Sequence, residues 1–402
     1  MATTINANNT DGVVITPDTS GELELQANGV TKAKVTANGL QDANGASLRG
    51  GMYRNLIING DMSIAQRGTS KTGLTSTGYY TIDRYRLGIT TIGTFTMSQD
   101  TDVPSGQGFV SSLKIACTTA DASPAAADNL NIQHRIEAQN LQHLKYGTSS
   151  AESLTLSFWV KSNKTGTYTV WVYQQDDDRQ ICPTFTISSA DTWEKKTITI
   201  AGDTTGVIDN NNGDGIRIGF FLAAGSNFTS GTLASSWEAN VEANRVSSSN
   251  VNLADSTSNY INITGVQLEI GEGASDFEFL PYDVQLARCQ RYYNRWSGAN
   301  APYVGLTTCM ATGGTSPVSR RASWSNPVEF RAKPTLGFGG TIQVYTYTLS
   351  NKGFVAFNGN TCNKNIISFD FNSSTAGTGG QSLWLIIDSN LATNYIDADA
   401  EL

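Results

Sequence analysis

The stretch from Gly265 to Trp296, GVQLEIGEGASDFEFLPYDVQLARCQRYYNRW, constrains the chain more than any other. Val266, Leu268 and Ile270 alternate with Gln267 and Glu269, the period-two mark of a strand with one buried face. Gly271 and Gly273 supply a turn, and Phe277 and Phe279 resume the alternation as far as Pro281. Asp283 then predicts an N-cap for a helix on which Leu286, Cys289, Tyr293 and Trp296 share an apolar stripe. Arg288, Arg291 and Arg295 fall at i, i+3 and i+7, a basic stripe beside it. One kind of β-rich sequence precedes this segment and another follows it, so it reads as a packed hinge between domains.

The rest of the chain suits many short strands. Charged residues make up 15% of the 402, and 39 glycines stand against 9 prolines, which favours tight turns over long surface helices. SLTLSFWVKS (153–162) reads as a fully buried strand, with Leu154, Leu156, Phe158 and Val160 on one face and Trp159 buried beside them. TGTYTVWVYQQ (165–175) is its hairpin partner, and TWEKKTITIAGDTTG (192–206), GIRIGFFLAAG (215–225) and INITGVQLEIG (261–271) continue at sandwich-like spacing. NLNIQHRIEAQNLQHLKYG (129–147) is expected to be helical or irregular. Residues 297–402 return to β pattern in PVEFRAKPTLGF, TIQVYTYTLS, NIISFDFNSS and QSLWLIID.

Residues 1–50 stand apart. GELELQANG is followed by VTKAKVTANG, so Ala-Asn-Gly recurs ten residues later, and each Asn-Gly signals a hairpin. Leu23, Leu25 and Val35 would expose one apolar face that so short a piece cannot bury alone. Wrapping identical chains around one axis resolves the conflict, so an oligomer is expected. The net charge of −8 excludes general affinity for nucleic acid and for anionic membranes. No apolar run approaches the length of a bilayer span, and MATTINANNTDG lacks the features of a signal peptide. The five cysteines are scattered and odd in number, which points to reduced thiols in a protein made in a cytoplasm.

Three motifs carry a resemblance: NLIINGDMSIAQRG (55–68), the aromatic run Tyr79–Tyr85, and the QLE-G, FE-x-x-P and CQRYY pieces of the hinge. Together they resemble a module of tail-fibre and other virion-associated proteins of bacteriophages, across roughly residues 55 to 296. The resemblance implies a jelly roll of the carbohydrate-binding kind. Residues 1–50 are similar to fibre stalk and attachment repeats, which implies a trimer, and YIDADAEL resembles the way such fibres terminate. The expected organisation is a mainly β chain: an attachment and oligomerisation segment (1–50), a jelly-roll β-sandwich (51–283), a connecting helix (284–296) and a C-terminal β-sandwich (297–402).

Chemistry is sparse. His134 and His143 are the only histidines and no GxSxG elbow is present, so nucleophilic catalysis is not expected. Asp176–Asp178 read as a solvated hairpin tip, and Glu137, Glu269 and Glu278 as framework residues making structural hydrogen bonds. Asp209, Asn211 and Asp214 offer hard oxygens of the sort a structural calcium takes, but out of register for a calcium loop, and an Asn-rich turn is favoured. Trp171, Trp237, Trp324, Tyr303, Tyr345 and Tyr347 are candidate platforms for stacking sugar rings. Leu23, Leu25, Val35, Arg288, Arg291 and Arg295 are candidate oligomer contacts. The resulting expectation is a non-enzymatic virion structural protein made in the host cytoplasm, requiring no cofactor. It would be a homotrimeric adhesin that binds other virion proteins through its N-terminal segment and binds host surface polysaccharide or lipopolysaccharide. The alternatives are a head-attached fibre or decoration protein and a glycan-depolymerising tailspike.

Overall fold

The computed structural model describes residues 22–36, 39–43, 54–297, 304–310, 318–340, 342–346, 356–373, 382–387 and 394–402. Across them the chain is mainly β, in antiparallel sheets with a few short helices. Leu23–Ala27, Val30–Thr36 and Gly39–Asp42 form a three-stranded sheet. Asn28 and Gly29 turn its first hairpin with φ of 53° and 73°, the left-handed pair that a two-residue hairpin loop demands. Leu25, Val30, Val35 and Leu40 remain between 41% and 55% exposed, while Leu23 is half-buried.

Two larger sheets follow. One runs in the order Glu194–Ile200, Leu154–Ser162, Tyr260–Ile270, Ser112–Thr119, Thr94–Asp100, Ser70–Leu74. The other runs Glu238–Ala239, Arg179–Ile181, Gly166–Gln174, Asp214–Ala224, Asn129–Glu137, Tyr85–Thr90, Gly78–Tyr79, with Thr184–Ile187 also paired to Gly166–Gln174. Leu113, Leu156, Phe158 and Ile263 of the first sheet share one core with Ile132, Val170, Ile218 and Phe220 of the second. Phe158 meets both Phe185 and Phe220 edge-on with centroids 5.0 Å apart, so the faces interlock as in a β-sandwich. The strands expected within 153–162, 165–175, 192–206 and 215–225 are present as Leu154–Ser162, Gly166–Gln174, Glu194–Ile200 and Asp214–Ala224.

Four local expectations are corrected. Trp159 is half-buried, on the face opposite Phe158 and Val160. Residues 129–147 open with the strand Asn129–Glu137, whose Leu130, Ile132 and Ile136 alternate into the core, and only then turn into a 3-10 helix, Ala138–Leu144. The strand Tyr260–Ile270 is buried on both faces: the 271–281 loop covers Gln267 and Glu269, and Glu278 N–H donates to Gln267 Oε1 at 2.8 Å. The connecting helix spans Tyr282–Gln290, preceded by Pro281, with Asp283 in its first turn and no side-chain cap. Tyr293–Ser297 then forms a strand paired with Tyr395–Asp399, because the second sandwich supplies a partner for its backbone.

Beyond it stand three three-stranded sheets: Tyr293–Ser297, Tyr395–Asp399, Thr335–Gly339; then Val304–Met310, Ser382–Ile387, Ile342–Thr346; then Val318–Ser325, Ile366–Ser373, Ala356–Asn360. Phe330, Phe369, Phe371, Ile396 and Ala398 share a second core. Cys117, Cys182, Cys289 and Cys362 are free and buried.

The two sandwiches are joined by buried charge. Arg84, at φ 73° and with no exposed side chain, pairs through Nη1 with Glu401, donates from Nη2 to the Arg135 carbonyl at 2.6 Å, and lies 3.5 Å over the Tyr292 ring. Arg67 lies 3.5 Å over the Tyr293 ring and reaches Asp399 at 3.1 Å and Glu401 at 3.4 Å. Arg331 donates to the Ala400 and Glu401 carbonyls, both at 2.9 Å, and to the Asn212 carbonyl at 2.8 Å. A buried pair that loses one member strands the other charge away from water. Glu401→Ala is therefore expected to cost roughly 3–5 kcal/mol in urea unfolding. A loss below about 1 kcal/mol, the scale of an exposed pair, would show that the junction does not depend on it.

Candidate functional site

A cleft of about 1040 Å³ opens where the first sandwich meets the 282–290 helix and the N-terminal sheet. Its walls are Arg54, Asn55, Leu56 and Ile58 from the 55–68 motif, His134, Arg135 and Ile136 from the strand, Asn140, His143 and Lys145 from the 3-10 helix, Glu152 and Ser153, the turn Glu269–Glu272, Arg288 and Tyr292, with Gln41 from the N-terminal sheet. The local fold explains this set. A 3-10 helix repeats every three residues, so burying Ala138, Leu141 and Leu144 turns Asn140 and His143 outward. Lys145 closes it at φ 56° and salt-bridges Glu152 at 2.6 Å.

The 55–68 segment is held by its own side chains. Asn55 Nδ2 donates to the Val266 carbonyl at 3.1 Å, and Asn55 Oδ1 accepts from Ile57 and Leu268 N–H at 2.9 and 3.0 Å. Asn59, at φ 62°, takes the Ile64 N–H at 2.9 Å and donates to the Ile64 and Asp83 carbonyls. Most carboxylates here have structural duties, as expected of Glu137, Glu269 and Glu278. Glu269 accepts from Ser275 N–H and Oγ at 2.9 and 2.7 Å, and Glu278 from Asn55 N–H at 2.9 Å. Burial opposes the charge on Glu137, but the Arg291 fork at 2.7 and 2.9 Å outweighs it and holds the carboxyl below its usual range.

His134 is 1% exposed. The Ile58 N–H and the Ile58 carbonyl both lie 3.2 Å from its Nε2, while Nδ1 has no hydrogen-bond partner among the described residues. Burial, reinforced by the positive charge of Arg84, keeps the imidazole neutral, far below its ordinary pKa.

The described sequence-selected sugar platforms, Trp171, Trp237 and Trp324, lie elsewhere. Trp171 is 5% exposed: it stacks on Tyr173 at 4.8 Å, donates to Gln180 at 3.2 Å and is covered by Arg245 at 4.6 Å. With Cys182, Phe228 and Val246 it forms a separate packed cluster, so it is corrected from platform to core. Trp237 donates to the Ala201 carbonyl at 2.6 Å and packs on the main core. Trp324 meets Trp296 edge-on at 5.2 Å and Phe369 at 5.8 Å. Tyr303, Tyr347 and the Tyr345 side chain lie outside the described residues. Two of the arginines named as candidate oligomer contacts make ion pairs within the chain. Arg291 takes Glu137, and Arg295 takes Asp397 at 2.8 Å and the Tyr395 ring at 3.7 Å. Arg288 lines the cleft. Asn211 Nδ2 donates to Asp209 at 3.4 Å and its Oδ1 accepts the Gly213 N–H at 2.6 Å, while Asp214 is held by Arg217 at 2.6 Å. No group of three metal-ligating side chains occurs among the described residues.

Sequence reasoning missed Arg54, Asn140, His143 and Lys145. The i, i+3 spacing of Ala138, Leu141 and Leu144 was the available signal for Asn140 and His143.

No protein-family model matches the chain, and no curated protein sequence does. Among solved structures it is similar to the enzymatically active domain of tailspike protein 4 of bacteriophage CBA120, at 14% identity over 54% of this chain and TM-score 0.29, spanning only 22% of that protein. It is also similar to TmCBM61 in complex with beta-1,4-galactotriose, at 8% identity over 54% of this chain and 99% of that one, TM-score 0.25. A third is the family 11 carbohydrate-binding module of cellulase Lic26A-Cel5E of Clostridium thermocellum, at 8% identity over 54% and 94%, TM-score 0.24. Overlays this loose carry no functional argument, so function is read from the chain's own residues.

The neutral His134 has a readable consequence. Above about pH 6.5 the imidazole is neutral folded or unfolded, and its contribution is fully present. Below that, the unfolded ring takes a proton the folded ring refuses, so stability is expected to fall with pH by up to about 1.4 kcal/mol per pH unit. His134→Gln should flatten that slope in urea titrations between about pH 6.5 and 5; an unchanged slope would contradict the assignment.

Proposed function

We propose that this chain is a subunit of a bacteriophage tail fibre: a homo-oligomeric, non-enzymatic virion adhesin whose cleft takes a host-surface glycan. What carries the glycan reading is the lining of the cleft, where amide, imidazole, guanidinium and carboxylate groups converge around a space of about 1040 Å³. A polyhydroxylated ligand is recognised by many planar hydrogen-bonding groups of this type, set on rigid elements. The oligomer is supported by Leu25, Val30, Val35 and Leu40, whose 41–55% exposure on a three-stranded sheet leaves an apolar face without cover among the described residues. The 55–68 and 265–296 motifs support the virion role through their likeness to tail-fibre modules. Binding without cleavage is favoured because Glu269 and Glu152 are engaged by Ser275 and Lys145, whereas glycoside hydrolysis needs a facing pair of free carboxyls. Weak contacts repeated across an oligomer then sum to useful avidity.

Two measurements test this reading. The full chain should retain host-surface polysaccharide without releasing new reducing ends, and Asn140→Ala with His143→Ala should weaken retention by about tenfold, the worth of one or two hydrogen bonds. Release of reducing ends would make it a depolymerase. In sedimentation the chain should run as an oligomer, with Leu25→Asp plus Val35→Asp shifting it to monomer; a monomeric wild type would remove the fibre reading.

A further inference from the structure

We infer that the cleft selects glycans carrying an oxyanion, a carboxylate or a phosphate, over neutral glycans of the same backbone; this rests on the glycan reading above. The chain as a whole is acidic at −8, yet four cations, Arg54, Arg135, Lys145 and Arg288, line the cleft against three carboxylates. Two of those carboxylates are engaged. Glu152 is held by Lys145, and Glu269 takes three donors from Ser275 and Gln267.

Arg54 is the exposed cation of the set without a carboxylate of its own. Its Nη2 donates to the Asp276 carbonyl at 2.8 Å, and it forms no ion pair among the described residues. That single bond anchors the guanidinium at the mouth and leaves most of its five donors open. A planar fork of this kind matches a carboxylate or phosphate in two parallel hydrogen bonds, which no neutral hydroxyl can reproduce.

The second observation is His134. It lines the same cleft, is 1% exposed, and its Nδ1 has no partner among the described residues. A buried polar atom left unmatched carries a desolvation cost that a ligand relieves, and in the tautomer whose Nε2 accepts from Ile58 N–H it would donate to an oxygen, an anionic one being a stronger acceptor than a hydroxyl. The neutral ring leaves the charge discrimination to the arginine.

The experiment uses the full chain and matched polysaccharides: a uronate-bearing bacterial polysaccharide and its carboxyl-reduced form, and a phosphate-bearing one and its dephosphorylated form. The intact anionic member of at least one pair should bind ten to a hundredfold more tightly than its neutralised form, and the pair that shows it identifies the oxyanion. That advantage should shrink when salt is raised from 50 to 500 mM. Arg54→Gln should remove about tenfold of it while leaving the melting temperature unchanged, and Arg54→Lys should recover only part. Equal binding within both pairs would overturn the selectivity and leave the glycan reading standing. Binding to none of the four would overturn the glycan reading itself, and the selectivity with it.

Discussion

The structure depends on one buried ion pair. Arg84 and Glu401, 317 residues apart in sequence, lose nearly all contact with water on folding, with side chains 0% and 4% exposed. Neither charge is tolerable there alone, so neither sandwich reaches its final form without the other. Arg84 adopts a left-handed backbone, uncommon for a residue with a Cβ, which surrounding contacts must hold in place. Its second amino group fixes the carbonyl of Arg135 at 2.6 Å, between two other cleft residues, His134 and Ile136. The junction that joins the domains thus also sets one wall of the candidate site.

This gives the sequence motifs a physical meaning. NLIINGDMSIAQRG, the Tyr79–Tyr85 run, CQRYY and YIDADAEL converge on this junction. Asn59 shapes a turn whose amide binds the Asp83 carbonyl, Gln66 reaches Asp83 and the Tyr293 carbonyl, and Arg67 and Arg84 stack on Tyr293 and Tyr292. They build a scaffold, and chemistry toward a ligand falls to residues beside them. Burial raises the Asp83 carboxyl to about 6 although Arg67 opposes this, the mark of a charge held for geometry more than for strength.

What was legible in the sequence follows the range of the interactions. Strands at 154–162 and 214–224 announce themselves through alternation, and the Asn28-Gly29 hairpin through a dipeptide that accepts left-handed φ; both are local. The end of the 282–290 helix was not legible. Cys289, Tyr293 and Trp296 fit a helical stripe equally well, and the choice falls to a strand about a hundred residues later, Tyr395–Asp399. Trp171 was misjudged for the same reason, since its cover comes from Phe228, Arg245 and Val246. The cleft combines five separate stretches of chain, so its cations are unremarkable in any one of them. Strand Asn129–Glu137 is different: Leu130, Ile132 and Ile136 already alternate in sequence.

Scanning calorimetry of the intact chain bears most directly on the junction. If buried charge unites the two sandwiches, residues from both should melt in one transition whose calorimetric and van't Hoff enthalpies agree. Two well-separated transitions, one for each sandwich, would show that the domains fold independently and that the cleft wall does not depend on their joining.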